Sequence, residues 1–235
     1  MIMSTIEQNL QAVRGAIAQA ALAAQRAPEG VTLLAVSKTF GADAVLAAAQ
    51  AGQTAFGENY LQEALDKIAA VKLALPQGAL AWHFIGPIQS NKTRPIAEHF
   101  DWVHTVEREK IAARLSEQRP AGLPDLNICL QVNISGEASK SGVTPAELPA
   151  LARAVAQLPR LRLRGLMAIP EPETDVALQR RAFAQLRALY EQLNADGLAL
   201  DTLSMGMSAD LRAAVQEGAT IVRVGTAIFG ARDYS

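Results

Sequence analysis

The hydrophobic pattern changes period near residue 30. Between Ser4 and Gln25 the apolar residues Ile6, Leu10, Val13, Ile17 and Leu22 recur at helical spacing. Ser4 as N-cap and Glu7 three residues later predict a capping box at the start of this helix. Beyond it, short apolar runs alternate with helical stretches. Strands are predicted at Val31–Val36, Thr54–Phe56, Leu80–Ile85, Trp102–Thr105, Leu126–Asn133, Leu161–Ala168, Thr202–Ser204 and Ile221–Val224. Helices are predicted at Asp43–Ala51, Tyr60–Leu73, Asn91–His99, Glu107–Gln118, Pro145–Gln157, Val176–Leu193 and Ala209–Glu217, one after each of the first seven strands.

Runs such as LLAV, NICLQV and IVRV are apolar on both faces, as buried parallel strands are. Eight alternating units favour a closed sheet over an open one. The expected fold is therefore α/β: a single (β/α)8 TIM-type barrel over residues 1–235, with an extra N-terminal helix. An open doubly wound sheet is the alternative, because the second and seventh strands are thinly signalled. The 235 residues suffice for one such domain and are few for two.

Composition narrows the function classes. Half of the residues are hydrophobic and the net charge is −1, with acids and bases interspersed. No basic face is available for nucleic acid, and no polybasic segment for a membrane surface. No apolar run approaches the ~20 residues of a membrane span. Glu7, Gln8 and Asn9 stand where a secretory signal would be apolar. The single cysteine, Cys129, excludes an internal disulfide and reads as a buried, inert thiol. A cytoplasmic protein is expected, and a monomer.

In a barrel, chemistry sits where strands end and βα loops begin. Lys38 leaves the first strand there. Partial burial lowers an amine's pKa, and the neutral form is the one that attacks an aldehyde; a solvated loop lysine is the plain alternative. Ser204-Met205-Gly206-Met207-Ser208 joins the seventh strand to its helix, with Ser208 placed to cap that helix and Gly206 to allow close backbone approach. Gly225-Thr226 follows the eighth strand. Loops seven and eight are where barrels commonly bind phosphate, although Asp210 competes for the same positive potential. Arg223 shares a strand face with Gly225, opposite Val222 and Val224. Its guanidinium needs an acceptor, either a pyridine nitrogen or a barrel carboxylate. His83 reads as a ligand neighbour or a satisfied core histidine, and Asn59 as a mouth residue or a turn cap. His99 and His104 do not make a metal pair, so no metal is expected. Nucleotide-binding glycine motifs and a nucleophile elbow are absent.

The stretches LLAVSKT (33–39), FGENYLQE (56–63), WHFIGPIQSNK (82–92), VNISGEASKSG (132–142), RGLMAI (164–169), LSMGMSADLRAAVQEGAT (203–220) and VRVGTAIFGAR (222–232) together resemble the pyridoxal phosphate homeostasis protein family, also described as PLP-binding and proline synthetase co-transcribed. The resemblance implies a fold-type III barrel like the N-terminal domain of alanine racemase. It implies pyridoxal 5′-phosphate (PLP) as a Schiff base on Lys38. It also implies phosphate contacts from Ser204, Gly225 and Thr226, with Ser208 or its neighbours, and Arg223 facing the pyridine nitrogen. Asn59 and His83 match positions near the cofactor. Lys140, in the loop Ser139-Lys140-Ser141-Gly142, is a candidate secondary contact for a phosphorylated vitamer. Phe40-Gly41 departs from the basic residue and proline of many relatives, which removes support for a second lysine beside Lys38.

The function so implied is vitamin B6 homeostasis: a carrier or buffer for PLP and other phosphorylated vitamers, passing PLP to apo-enzymes, without catalysis. The alternative is a PLP-dependent amino-acid racemase or decarboxylase; an empty scaffold barrel is the blandest option. Racemisation needs a second base opposite Lys38. In racemases of this kind a further β domain supplies it, and the chain ends about ten residues after the last strand. Tyr60 is the one tyrosine expected near the mouth.

Overall fold

The computed structural model describes residues 4–136 and 141–231. Eight parallel strands close into a barrel in chain order: β1 (Thr32–Val36), β2 (Ala55–Glu58), β3 (Ala81–Phe84), β4 (Trp102–Val106), β5 (Leu126–Gln131), β6 (Leu161–Met167), β7 (Thr202–Ser204) and β8 (Ile221–Val224). The ring closes because β8 pairs with β1 over four positions, from Thr32 opposite Ile221 to Ala35 opposite Val224. This pairing rules out the open sheet. The two thinly signalled strands are both short, four residues in β2 and three in β7, although β3 and β8 also have only four.

Around the barrel lie α1 (Thr5–Ala23), α2 (Ala42–Gln50), α3 (Leu61–Ala74), α4 (Thr93–His99), α5 (Glu109–Gln118), α6 (Leu148–Ala156), α7 (Val176–Ala195) and α8 (Leu211–Gln216). The eighth strand also has its helix, α9 (Thr226–Phe229), which hydrophobic periodicity cannot reveal in four residues. At the start of α1 the Ser4 hydroxyl accepts the Glu7 N–H at 3.2 Å. Its buried stripe of Leu10, Val13 and Ile17 joins the main core, and the helix packs against α8 and α9. The helix after β5 begins at Leu148, not Pro145, because Thr144 and Glu147 close a hydrogen-bonded turn ahead of it.

Two apolar layers result. The larger lies between strands and helices, and the smaller gathers Leu34, Val36, Ala55, Ile85 and Ile221 with Trp102. His83, His104, Ser204 and Arg223 are also buried, and they bond to one another from four different strands. Cys129 is fully buried, and burial pushes its thiol up to about 12, as expected of an inert sulfhydryl. No described helix is long and apolar enough to cross a membrane.

Candidate active site at the barrel mouth

Lys38 stands two residues beyond the end of β1 and is half-buried. The backbone around it is held from below. Ser37 is fully buried, its hydroxyl donating to Glu58 Oε1 at 2.6 Å. Lys67 Nζ donates to the Ser37 carbonyl at 2.8 Å, to Glu58 Oε1 at 2.6 Å and to Glu63 Oε1 at 2.9 Å. Glu63 Oε1 also accepts the Thr39 N–H at 2.6 Å. Burial pushes the Glu58 carboxyl above its usual range, against the opposing pull of Lys67.

The strand paired with β1, β8, ends at Val224, and Gly225 follows as the N-cap of α9. A Cβ on this residue would lie 3.0 Å from the Val36 carbonyl oxygen, so glycine lets the ends of β8 and β1 come together. Thr226, which is exposed, opens α9; the amides of Thr226 and Ala227 donate to no acceptor among the described residues. The same holds for the amides of Ser208 and Ala209 after β7. Ser208 does not cap the next helix. That helix starts at Leu211, Asp210 occupies the N-cap position, and the Asp210 carboxylate accepts the Met207 N–H at 2.6 Å. The competing carboxylate thus takes one amide of the loop and leaves two. Gly206 carries φ of 95°, a left-handed conformation suited to glycine, and its carbonyl accepts the Arg223 N–H at 2.9 Å, tying loop seven to β8.

Three of the sequence-derived site residues meet lower, inside the barrel. Arg223 donates from Nη1 to Ser204 Oγ at 2.8 Å and from Nη2 to the Ala168 carbonyl at 3.0 Å. Ser204 Oγ lies 2.7 Å from His104 Nδ1, and His104 Nε2 lies 2.9 Å from His83 Nδ1. The His83 ring also stacks on Trp102, the first residue of β4. His83 is therefore packed as a core histidine against His104 and Trp102, and the Ser204 hydroxyl is engaged by His104 and Arg223. Burial drives His83 down to about 3 and His104 well below its usual range, so both imidazoles are neutral near pH 7. Burial also pushes Arg223 down to about 10, which leaves it charged at neutral pH. No carboxylate hydrogen-bonds it among the described residues.

Asn59 lines a cavity of about 350 Å³ at the mouth, with Ile85, Thr105, Glu107, Arg108 and Gln131. Its Oδ1 is buried and without a hydrogen-bond partner among the described residues. Lys38 is not among the cavity's lining residues, and Ser208 faces a separate groove against α1. Lys140 lies outside the described residues. Among those described, no three His, Cys, Asp or Glu side chains converge as a metal site.

Sequence reasoning missed Glu58, Glu63, Lys67 and His104. Glu63 and Lys67, four apart on α3, look like an ordinary surface pair. Only the closed barrel reveals that Lys67 is 4% exposed. His104 was within reach: it alternates with Trp102 along β4, on the face that His83 presents from β3.

A closed barrel with an amine and unpaired amides at its mouth defines a protein of the alanine racemase N-terminal domain class, and the model of that family matches residues 6–233. The chain belongs to that family and, within it, to the pyridoxal phosphate homeostasis proteins. It is 68% identical over 232 residues to the pyridoxal phosphate homeostasis protein of Pseudomonas aeruginosa, covering 99% of this chain and 98% of that one. It is 56% identical to the same-named protein of Escherichia coli, over 99% of each. Among solved structures it is similar to PipY of Synechococcus elongatus with PLP bound, at 38% identity and a TM-score of 0.82, over 96% of this chain and 100% of that one.

Proposed function

We propose that this protein binds PLP at its barrel mouth, holds it through the Lys38 amine, and serves intracellular vitamin B6 homeostasis as a carrier or buffer, not as an enzyme. The observation that carries the reading is the corner where β1 and β8 end. There the loop bearing Lys38 and the unpaired amides of Thr226 and Ala227 lie side by side, joined through Val36 and Gly225. The names of the relatives and the PLP bound in PipY support it.

The residues fit a phosphorylated aldehyde. Amides left over at the starts of helices favour an anion, and the orphaned Asn59 Oδ1 offers a buried acceptor to a ligand. PLP supplies an aldehyde that bonds reversibly to an amine. Lys38 presents that amine. Gly225, Thr226 and the Ser208–Ala209 turn bind the phosphate. Arg223, with N–H groups beyond its two protein bonds, donates to the ring nitrogen and so disfavours its protonation. A ring kept unprotonated is a weak electron sink, which suits storage better than carbanion chemistry. Ser204 and His83 act from below, through Arg223.

If the phosphate sits at this corner, Thr226→Val weakens PLP about tenfold while leaving non-phosphorylated pyridoxal within about twofold, since one hydrogen bond to a charged group is worth ~1.5–3 kcal/mol. Equal losses for both ligands in a binding titration would place the phosphate elsewhere.

Racemisation requires a second base across the substrate from Lys38. Of the described tyrosines, Tyr190 donates to the Leu200 carbonyl and Tyr60 is largely exposed at the head of α3. The protein is accordingly read as a monomeric, cytoplasmic single-barrel carrier that passes PLP to apo-enzymes; the lone buried thiol suits a reducing compartment. The deciding experiment is α-proton exchange in heavy water across a panel of amino acids, run beside transfer of PLP to an apo-enzyme. Transfer without exchange is expected. Saturable exchange that disappears in Lys38→Ala would make this an enzyme.

A further inference from the structure

We infer that Glu63 and Lys67 form a positioning clamp on the backbone of Lys38, setting the direction in which its amine meets an aldehyde. The inference rests on the reading that Lys38 holds PLP.

Lys38 is flanked by two peptide groups, and both are held by this pair. The carbonyl of the Ser37–Lys38 peptide accepts from Lys67 Nζ at 2.8 Å, and the N–H of the Lys38–Thr39 peptide donates to Glu63 Oε1 at 2.6 Å. The two clamping side chains pair with each other at 2.9 Å and are four residues apart on α3, so one rigid helix holds both sides of Lys38. Glu58 completes the device from β2, binding Lys67 at 2.6 Å and the Ser37 hydroxyl at 2.6 Å.

Two further observations separate a clamp from ordinary packing. Thr39 sits at φ of 70°, a left-handed conformation costly for a β-branched residue, and it persists only where surrounding bonds over-determine it. The Thr39 bond to Glu63 is such a restraint. Secondly, Lys67 and Glu58 are both buried, and a buried ion pair adds little net stability after its desolvation cost. What the pair supplies in return is geometry at the one loop that carries the reactive amine. Lys67 itself is unsuited to attack an aldehyde, because its ammonium already serves three acceptors.

The clamp separates two kinds of ligand. PLP must reach the Lys38 amine in bonding geometry. Pyridoxine 5′-phosphate, with an alcohol in place of the aldehyde, needs only the phosphate and ring contacts. Glu63→Ala removes the Thr39 arm, while Lys67 keeps Glu58; the Glu63 side chain is a third exposed, so the fold tolerates its loss. The variant should bind PLP about tenfold more weakly and pyridoxine 5′-phosphate within about twofold of the wild type, the scale of one charge-assisted hydrogen bond. Glu63→Gln, which keeps an acceptor for the Thr39 N–H, should recover most of the loss. Titrations of both ligands against PLP-free protein, with its melting temperature followed alongside, provide the test. Equal losses for the two ligands, or a PLP affinity unchanged in Glu63→Ala, would overturn the clamp. Borohydride labelling of the wild type distinguishes the deeper failure: a pyridoxyl group on any residue but Lys38 overturns the parent reading and the clamp together, whereas a Lys38 label with unaltered Glu63→Ala binding overturns the clamp alone.

Discussion

Lys38→Ala should leave no borohydride-fixed pyridoxyl group on the protein, the largest functional loss expected of a single substitution here. Capture depends on an amine that is both neutral often enough to attack and oriented toward the ligand. Lys38 is placed for the second demand: it is half-buried just beyond the end of β1, the strand that pairs with β8. Lys67 is nearby in the fold but its ammonium is spoken for, and Lys72 and Lys110 are exposed residues of α3 and α5. The variant should still bind the phosphate group, so weak, non-covalent PLP binding survives while the reducible absorbance is lost. Reduction followed by peptide mapping checks the result, and undiminished labelling in Lys38→Ala would show that another amine does the work.

The largest loss of stability should come from Arg223→Leu. Arg223 is 5% exposed, and its guanidinium bonds the Ser204 hydroxyl and the Ala168 carbonyl. Leucine fills much of the space and satisfies neither acceptor. Each buried polar group left unpaired costs about 1–3 kcal/mol, and His104 loses the polarised hydroxyl beside it. The PLP-free variant should therefore be less stable by about 2–4 kcal/mol, seen as a lower urea midpoint with an unchanged slope. An unchanged midpoint would mean that the interior bonds contribute nothing net. A separate shift in the absorbance of bound PLP is expected if the arginine also meets the ring nitrogen.

The barrel was legible because its strands are buried on both faces. LLAV and IVRV need no partner to be read as parallel strands, and the seventh and eighth strands have the bounds expected of them. Short elements whose existence depends on tertiary contact were harder. The four residues of α9 carry no period, and the delayed start of α8 follows from Asp210 folding back on Met207. The same division runs through the site. Lys38, Gly225 and Thr226 announce themselves by standing where strands end. The interior chain from Arg223 through Ser204 and His104 to His83 joins two consecutive strand pairs, β7–β8 and β3–β4, through the Ser204–His104 bond between residues a hundred apart, and that link is a property of closure and register. The buried state of Lys67 is hidden for the same reason, since a Glu–Lys spacing of four is common on exposed helices.

Closure of β8 onto β1 has a consequence for how this protein can meet another. An open sheet offers a row of unpaired peptide groups at its rim, and a second chain can dock there by adding a strand. This ring has no such rim, because every strand is flanked by two others. Main-chain augmentation is therefore closed to it as a mode of recognition. A protein that took PLP from the proposed site would have to meet side chains and loops and not a strand edge, and if it met those at the strand ends, docking and handover would share one face of the molecule.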